Sequence, residues 1–208
     1  MQFIYTEGFS VKHIVQVRLM RIILASNSPR RKELLSQTGI KFEVKPSGFE
    51  ESIAELPASK LVEHFAYMKA KDVAKSVKGD ALVIGSDTIV YCDEIMGKPR
   101  NREEAFCMLT KLSGKQHLVI SGISIINTAT GESLTEHEST RVKIKELSSA
   151  EITAYINTGE PEDKAGAYAI QGLGSLFVEG IQGDYFNVVG LPIFRLRKML
   201  EHFGVKLI

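Results

Sequence analysis

Two arginines stand where helix electrostatics disfavour them. In the run Leu24-Ala25-Ser26-Asn27-Ser28-Pro29-Arg30-Arg31-Lys32-Glu33-Leu34-Leu35, Ser28 has N-cap chemistry, Pro29 suits the first helical position, and Leu34 and Leu35 begin a buried face. Arg30 and Arg31 then fall in the first turn, where the backbone dipole is already positive and each cation costs roughly 0.3–1 kcal/mol at an exposed site. An anion that accepts from both guanidinium groups and from free N–H groups reverses that cost, and arginine forks match phosphate oxygens. Ser26, Arg30 and Arg31 are therefore candidate phosphate ligands, with a solvated basic turn as the alternative.

Asp87 interrupts an apolar segment, residues 81–91, so its carboxylate must be paired, hydrogen-bonded or bound to a cation; otherwise it marks a bulge or turn. Glu51, in an acidic loop beside Glu50, can add a second hard oxygen ligand, since Mg²⁺ and Mn²⁺ commonly take one or two carboxylates plus substrate phosphates. Lys69 falls in helical register with Val62, Phe65 and Val73 and so points inward or into a cleft, and Lys98 is held in the restricted turn Gly97-Lys98-Pro99. Either lysine can offset phosphate charge, though lysines more often lie on solvated faces. Gln171 sits in a glycine-rich run, residues 163–174, and offers both a donor and an acceptor, which suits a base edge as well as loose backbone groups. The five histidines show no triad or metal-ligand spacing.

These residues need elements to position them. Residues 21–25 read as a buried strand leading into the helix that Gly39 closes, and residues 41–45 read as a second strand. A polar loop, residues 46–57, precedes a helix over 58–77. Strand 81–91 is followed by a helix capped by Asn101 and Glu104 and ending at Leu112. Two long strands, 116–127 and 133–145, read as a hairpin. Ser148 and Glu151 form a capping box for a helix that stops at Gly159, a strand follows near 176–181, and Pro192 starts a last helix to His202. The order implies a mixed α/β fold: a sheet flanked by helices, with a cleft between two lobes.

With 208 residues, 44% hydrophobic and 25% charged, the chain can bury a full core as one domain of two lobes, residues 20–208. Lys and Arg number 26 against 25 Asp and Glu, which argues against a general nucleic-acid or membrane-surface binder, so any basic site is local. Two cysteines without a CxxC pair indicate neither a disulfide framework nor zinc and fit a reducing cytoplasm. Residues 1–19, interrupted by Glu7, Lys12, His13 and Arg18, read as an N-terminal extension rather than a signal peptide.

Taken together, LASNSPRRKELL, Glu51, Lys69 in YMKAKDVA, Asp87 in GSDTIV, Lys98 in GKPR and Gln171 in EPEDKAGAYAIQGLG resemble the Maf family of nucleoside triphosphate pyrophosphatases, in order and from Met20 onward. The resemblance implies an elongated mixed sheet related to the inosine triphosphate pyrophosphatases. It also implies cleavage of a nucleoside triphosphate between its α and β phosphates, with a divalent cation, Mg²⁺ or Mn²⁺. By the same resemblance Ser26, Arg30, Arg31, Lys69 and Lys98 hold phosphates, Glu51 and Asp87 handle metal and water, Lys69 joins them in catalysis, and Asp87 accepts the proton. Arg30, Thr88 and Gln171 match the branch acting on dTTP and UTP, whereas the branch acting on 7-methyl-GTP places tryptophan, glutamine and glutamate at those points. That second branch, and a nucleotide-binding regulator of cell division using the same pocket, are the alternatives. No nucleic-acid or membrane partner is expected, and a homodimer is compatible with the reading.

Overall fold

The computed structural model describes residues 20–51 and 56–207; the extension expected at residues 1–19 lies outside the described residues. Among the described residues, seven strands form one mixed sheet: β1 (Arg21–Leu24), β2 (Glu43–Val44), β3 (Ala81–Cys92), β4 (Glu94–Met96), β5 (Gln116–Asn127), β6 (Ser133–Ile144) and β7 (Val178–Gln182). Their order is β2-β1-β3-β5-β6-β7, with β4 paired to β3. The helices are α1 (Pro29–Gln37), α2 (Ala58–Ala74), α3 (Arg102–Leu112), α4 (Ser149–Asn157), α5 (Tyr185–Val189) and α6 (Ile193–His202). No helix of the described residues is long and apolar enough to cross a membrane. The expected hairpin is β5 and β6, paired antiparallel from Gln116↔Lys143 to Ile126↔Ser133.

Strand β3 organises the molecule. The strand expected over residues 81–91 runs unbroken for twelve residues, without the alternative bulge or turn at Asp87, because β5 pairs with it from Leu82 to Tyr91. On the opposite edge the pairing is divided. Strand β1 covers residues 81–84 in parallel, and β4 folds back antiparallel onto residues 90–92. Residues 85–89 thus lie between the carboxyl end of β1, at Leu24, and the carboxyl end of β4, at Met96, the kind of place at which a sheet opens a crevice for a ligand.

The two faces of β3 differ, as alternation requires. Leu82 and Ile84 join a core with Leu34 and Leu35 of α1 and Leu196, Met199 and Leu200 of α6. Val90, on the same face, joins a second core with Leu109 and Leu112 of α3 and Ile152 and Ile156 of α4. The two cores lie toward opposite ends of β3. Ser86 and Thr88 lie between them in a polar seam: Ser86 Oγ donates to the Gly190 carbonyl at 3.3 Å, and Thr88 Oγ1 shares a 2.8 Å hydrogen bond with Ser121 Oγ. On the other face, Ala81 and Val83 pack under Ala70 and Val73 of α2, and Ile89 packs on Val62.

The caps hold as the sequence suggests. Ser28 Oγ accepts from the Arg31 amide at 3.4 Å, Asn101 Oδ1 accepts from the Glu104 amide at 2.8 Å, and Ser148 and Glu151 form a reciprocal capping box. Helix α2 ends at Ala74 rather than near Val77, because its last turn tightens: the Ser76 and Val77 amides donate to the Val73 and Ala74 carbonyls. The expected second strand shrinks to Glu43 and Val44, and β4 and α5, at three and five residues, are too short for periodicity to reveal.

One histidine fastens the cleft to the second core. His117, 3% exposed on β5, bonds through Nε2 to the Tyr168 hydroxyl at 2.7 Å, with the rings edge-on at 5.3 Å. Burial lowers its pKa from 6.5 to about 4. Between those values the unfolded chain binds a proton that the folded chain does not, so stability is expected to fall as pH drops from about 6.5 to 4, by roughly 3 kcal/mol at most. Urea unfolding at pH 7 and pH 4.5 checks this: His117→Gln should be the less acid-sensitive of the two proteins, and an unchanged slope against pH would contradict it.

Candidate active site

Asp87 lies in the middle of the divided edge of β3, 5% exposed, on the face that α2 covers. Lys69 reaches it from α2, with Nζ 2.6 Å from Asp87 Oδ1 and 2.5 Å from Glu51 Oε1, so one ammonium group bridges two carboxylates. The inward direction expected for Lys69 is met, and its partner is the acid that the strand could not bury alone. Burial is the largest influence on Asp87 and raises its pKa above the usual carboxylate range; Lys69 opposes this most, Glu51 adds to it, and Arg31 works with Lys69.

Helix α2 comes this close because the sheet beneath it is bare. A Cβ built on Gly122, which faces Asp87 across β5, would lie 2.1 Å from the Val62 carbonyl oxygen, and one built on Gly85 would lie 2.1 Å from the Ala66 carbonyl oxygen.

The two arginines of the opening motif take different places. Arg31 turns inward: Nε donates to the Gly190 carbonyl at 2.9 Å, Nη1 to the Ser86 carbonyl at 2.9 Å and Nη2 to Thr88 Oγ1 at 3.0 Å. Three of its five N–H donors thus tie α1 to the polar seam, and two remain for the cleft. Burial lowers its pKa, and Asp87 is the main opposing influence. Arg30 turns toward Asp163, with Nη1 3.8 Å from Oδ2, a loose counter-charge within the chain. Ser26 is buried, and its Oγ accepts from the Ser28 amide at 3.2 Å.

Glu51 is carried by a loop anchored upstream. Asp72, one turn beyond Lys69 on α2, accepts from Ser47 Oγ at 2.8 Å and from the Gly48 amide at 2.9 Å, and Phe49 packs on Phe65 with ring centroids 6.2 Å apart. Asp72 and Phe49 were not singled out from the sequence. Asp72 could have been found, because it shares a helix face with Lys69. Lys164 was also missed; it pairs with Asp163 and donates to the Glu160 carbonyl at 3.2 Å.

A cleft of about 660 Å³ gathers these groups. Ser26, Arg30, Arg31, Glu51, Lys69, Asp87, Thr88, Lys98 and Gln171 all line it, together with Phe49, Asp163 and Lys164. Cations therefore outnumber carboxylates on its walls, although the whole chain is nearly neutral. No group of three or more His, Cys, Asp or Glu side chains suited to a metal occurs among the described residues. Glu51 Oε1 and Asp87 Oδ1 both accept from the Lys69 ammonium, and the two carboxylates that meet around it are hard oxygen donors of the kind a divalent ion takes.

A family model described as "Maf-like protein" matches residues 21–203. A dTTP/UTP pyrophosphatase of Alkaliphilus oremlandii (strain OhILAs) is 52% identical over 192 residues, covering 91% of this chain and 100% of that protein. A dTTP/UTP pyrophosphatase of Acetivibrio thermocellus is 51% identical over 197 residues, covering 91% and 98%. Among solved structures, a nucleoside-triphosphatase / dITP/XTP pyrophosphatase from Mycobacterium abscessus is 18% identical, with a TM-score of 0.40 over 60% of this chain and 74% of that one.

Proposed function

The chain belongs to the Maf-like protein family, and from that premise we propose that it is a nucleoside triphosphate pyrophosphatase that hydrolyses dTTP and UTP to the monophosphate and pyrophosphate. The observation that carries this reading is the Glu51–Lys69–Asp87 bridge, set in a cleft whose other walls carry Arg30, Arg31, Lys98 and Lys164. A proton acceptor lies within reach of cations that can hold a phosphate chain.

Hydrolysis of the α–β anhydride requires in-line attack of water on one of its two phosphorus atoms, with pyrophosphate leaving when the α phosphorus is attacked and the nucleoside monophosphate leaving when the β phosphorus is attacked. Asp87 is the one carboxylate of the cleft that is both buried and raised in pKa, so it accepts the proton of the attacking water. Lys69 opposes the rise that burial gives the Asp87 pKa and offsets charge on the phosphates. Arg30, Ser26 and the remaining donors of Arg31 at the start of α1, with Lys98 from the turn after β4, bind the phosphate oxygens. Glu51 and Asp87 would hold Mg²⁺ or Mn²⁺, which supplies Lewis-acid polarisation of the phosphate oxygens when bound. Gln171 reads the base: its amide can give one hydrogen bond and accept another, as the imide edge of uracil or thymine requires.

Incubation of the purified protein with UTP or dTTP and Mg²⁺ or Mn²⁺ should release monophosphate and pyrophosphate in equal amounts. Release of orthophosphate would overturn the bond assignment. A preference for 7-methyl-GTP over UTP would overturn the roles given to Arg30, Thr88 and Gln171.

A further inference from the structure

We propose that Tyr155 and Glu160, neither of which lines the cleft, form a positioning pair that places the Gln171 amide and thereby sets the choice of pyrimidine base. The inference rests on the base-reading role given above to Gln171.

Among the described residues the Gln171 side chain makes no hydrogen bond of its own, so the backbone on either side decides where its amide lies. That backbone is held at both ends by one connected set of bonds. Two residues before Gln171, the Ala169 amide donates to the Tyr155 hydroxyl oxygen at 3.2 Å. After it, the Leu173 amide donates to Glu160 Oε2 at 3.0 Å and the Gly174 amide to Oε1 at 2.9 Å. The Tyr155 hydroxyl in turn donates to Glu160 Oε1 at 2.8 Å, which joins the two halves. The loop has no slack around this pair. Gly172 has φ +70°, and a Cβ there would lie 2.6 Å from Glu160 Oε2; a Cβ on Gly174 would lie 2.4 Å from the Ala169 carbonyl oxygen and 2.6 Å from the Tyr155 hydroxyl. Tyr155 itself is fixed, 3% exposed on α4 and edge-on to Phe177 at 5.0 Å.

A hydrogen bond to a base edge weakens steeply with angle and distance, so a small displacement of this loop is felt at the base, whereas Asp87 and Lys69 stand on β3 and α2, outside this set of bonds. The effect should therefore fall on KM and on base discrimination rather than on kcat.

Tyr155→Phe tests this, because it removes only the hydroxyl and keeps the ring contact. The KM for UTP should rise roughly five- to tenfold, the discrimination of UTP over CTP should fall by the same factor, and kcat should change by less than about twofold. In a Gln171→Ala background the same substitution should leave discrimination where Gln171→Ala alone puts it. Equal losses on UTP and CTP that persist in the Gln171→Ala background would make the pair merely structural and overturn the proposal, as would an unchanged KM and discrimination. If Tyr155→Phe does not fold, Glu160→Gln, which keeps the shape and one acceptor oxygen, is read by the same two ratios. Turnover of UTP by the unaltered protein is measured first: its absence refutes the proposed function and this inference with it, whereas its presence with an unaffected Tyr155→Phe refutes only the positioning role.

Discussion

Asp87→Asn should lower kcat on UTP by about a hundredfold or more, close to 2.7 kcal/mol of transition-state stabilisation, while KM stays within a few-fold. The substitution preserves the shape of the side chain and an oxygen that can accept from Lys69 at the present 2.6 Å. It removes the negative charge, and with it the capacity to take a proton from water and one carboxylate of the pair proposed to hold the divalent ion. The variant should therefore fold and bind nucleotide yet turn over slowly, and circular dichroism alongside steady-state kinetics separates this from a folding defect. The pH profile adds a second reading. A base must be ionised, so log kcat should rise with pH through the Asp87 pKa, which burial places above the ordinary carboxylate range. The Asn variant should lose that rising limb. Retention of a tenth or more of wild-type kcat, with the limb intact, would move the base to another residue.

Much of this centre was legible in the sequence for reasons that are local. An acid inside an apolar strand and a lysine in register with Val62, Phe65 and Val73 each announce a misfit with their surroundings, and the fold resolves both by pairing them. Helix caps are equally local, which is why Ser28, Asn101 and Ser148 fall where expected.

What was not legible depends on distance along the chain or on backbone partners. Arg31 is bound to Gly190, 159 residues away, and to Thr88, 57 residues away; nothing in Arg30-Arg31 distinguishes the arginine that turns inward from the one that faces Asp163. Glu160 reads as one more acid in Glu160-Pro161-Glu162-Asp163, since two of its three partners are peptide N–H groups that leave no trace in residue type. The unbroken course of β3 through Asp87 is likewise a tertiary outcome: β5 supplies a continuous ladder along one edge, and α2 supplies the cation.

Gly122→Ala should be the most damaging small change to the fold, with an expected loss of about 3 kcal/mol or more in urea unfolding. The added methyl carbon would lie 2.1 Å from the Val62 carbonyl oxygen, 2.4 Å from its carbon and 2.8 Å from the Glu63 nitrogen. All three are backbone atoms inside a helical turn, so no side-chain rotation relieves the clash and α2 must lift as a body. Lifting separates Ile89 and Ile120 from Val62 and draws Lys69 away from Asp87. Loss of stability and loss of catalysis are therefore coupled at this position: any fraction of Gly122→Ala that folds should also show a kcat well below wild type. Gly85→Ala, which meets the Ala66 carbonyl oxygen at the same 2.1 Å, should behave alike. Gly180→Ala on β7, where a Cβ meets nothing within 4 Å, is the control and should change both quantities little. If Gly122→Ala unfolded at the wild-type urea midpoint with wild-type kcat, the close seat of α2 would not be what brings Lys69 to Asp87.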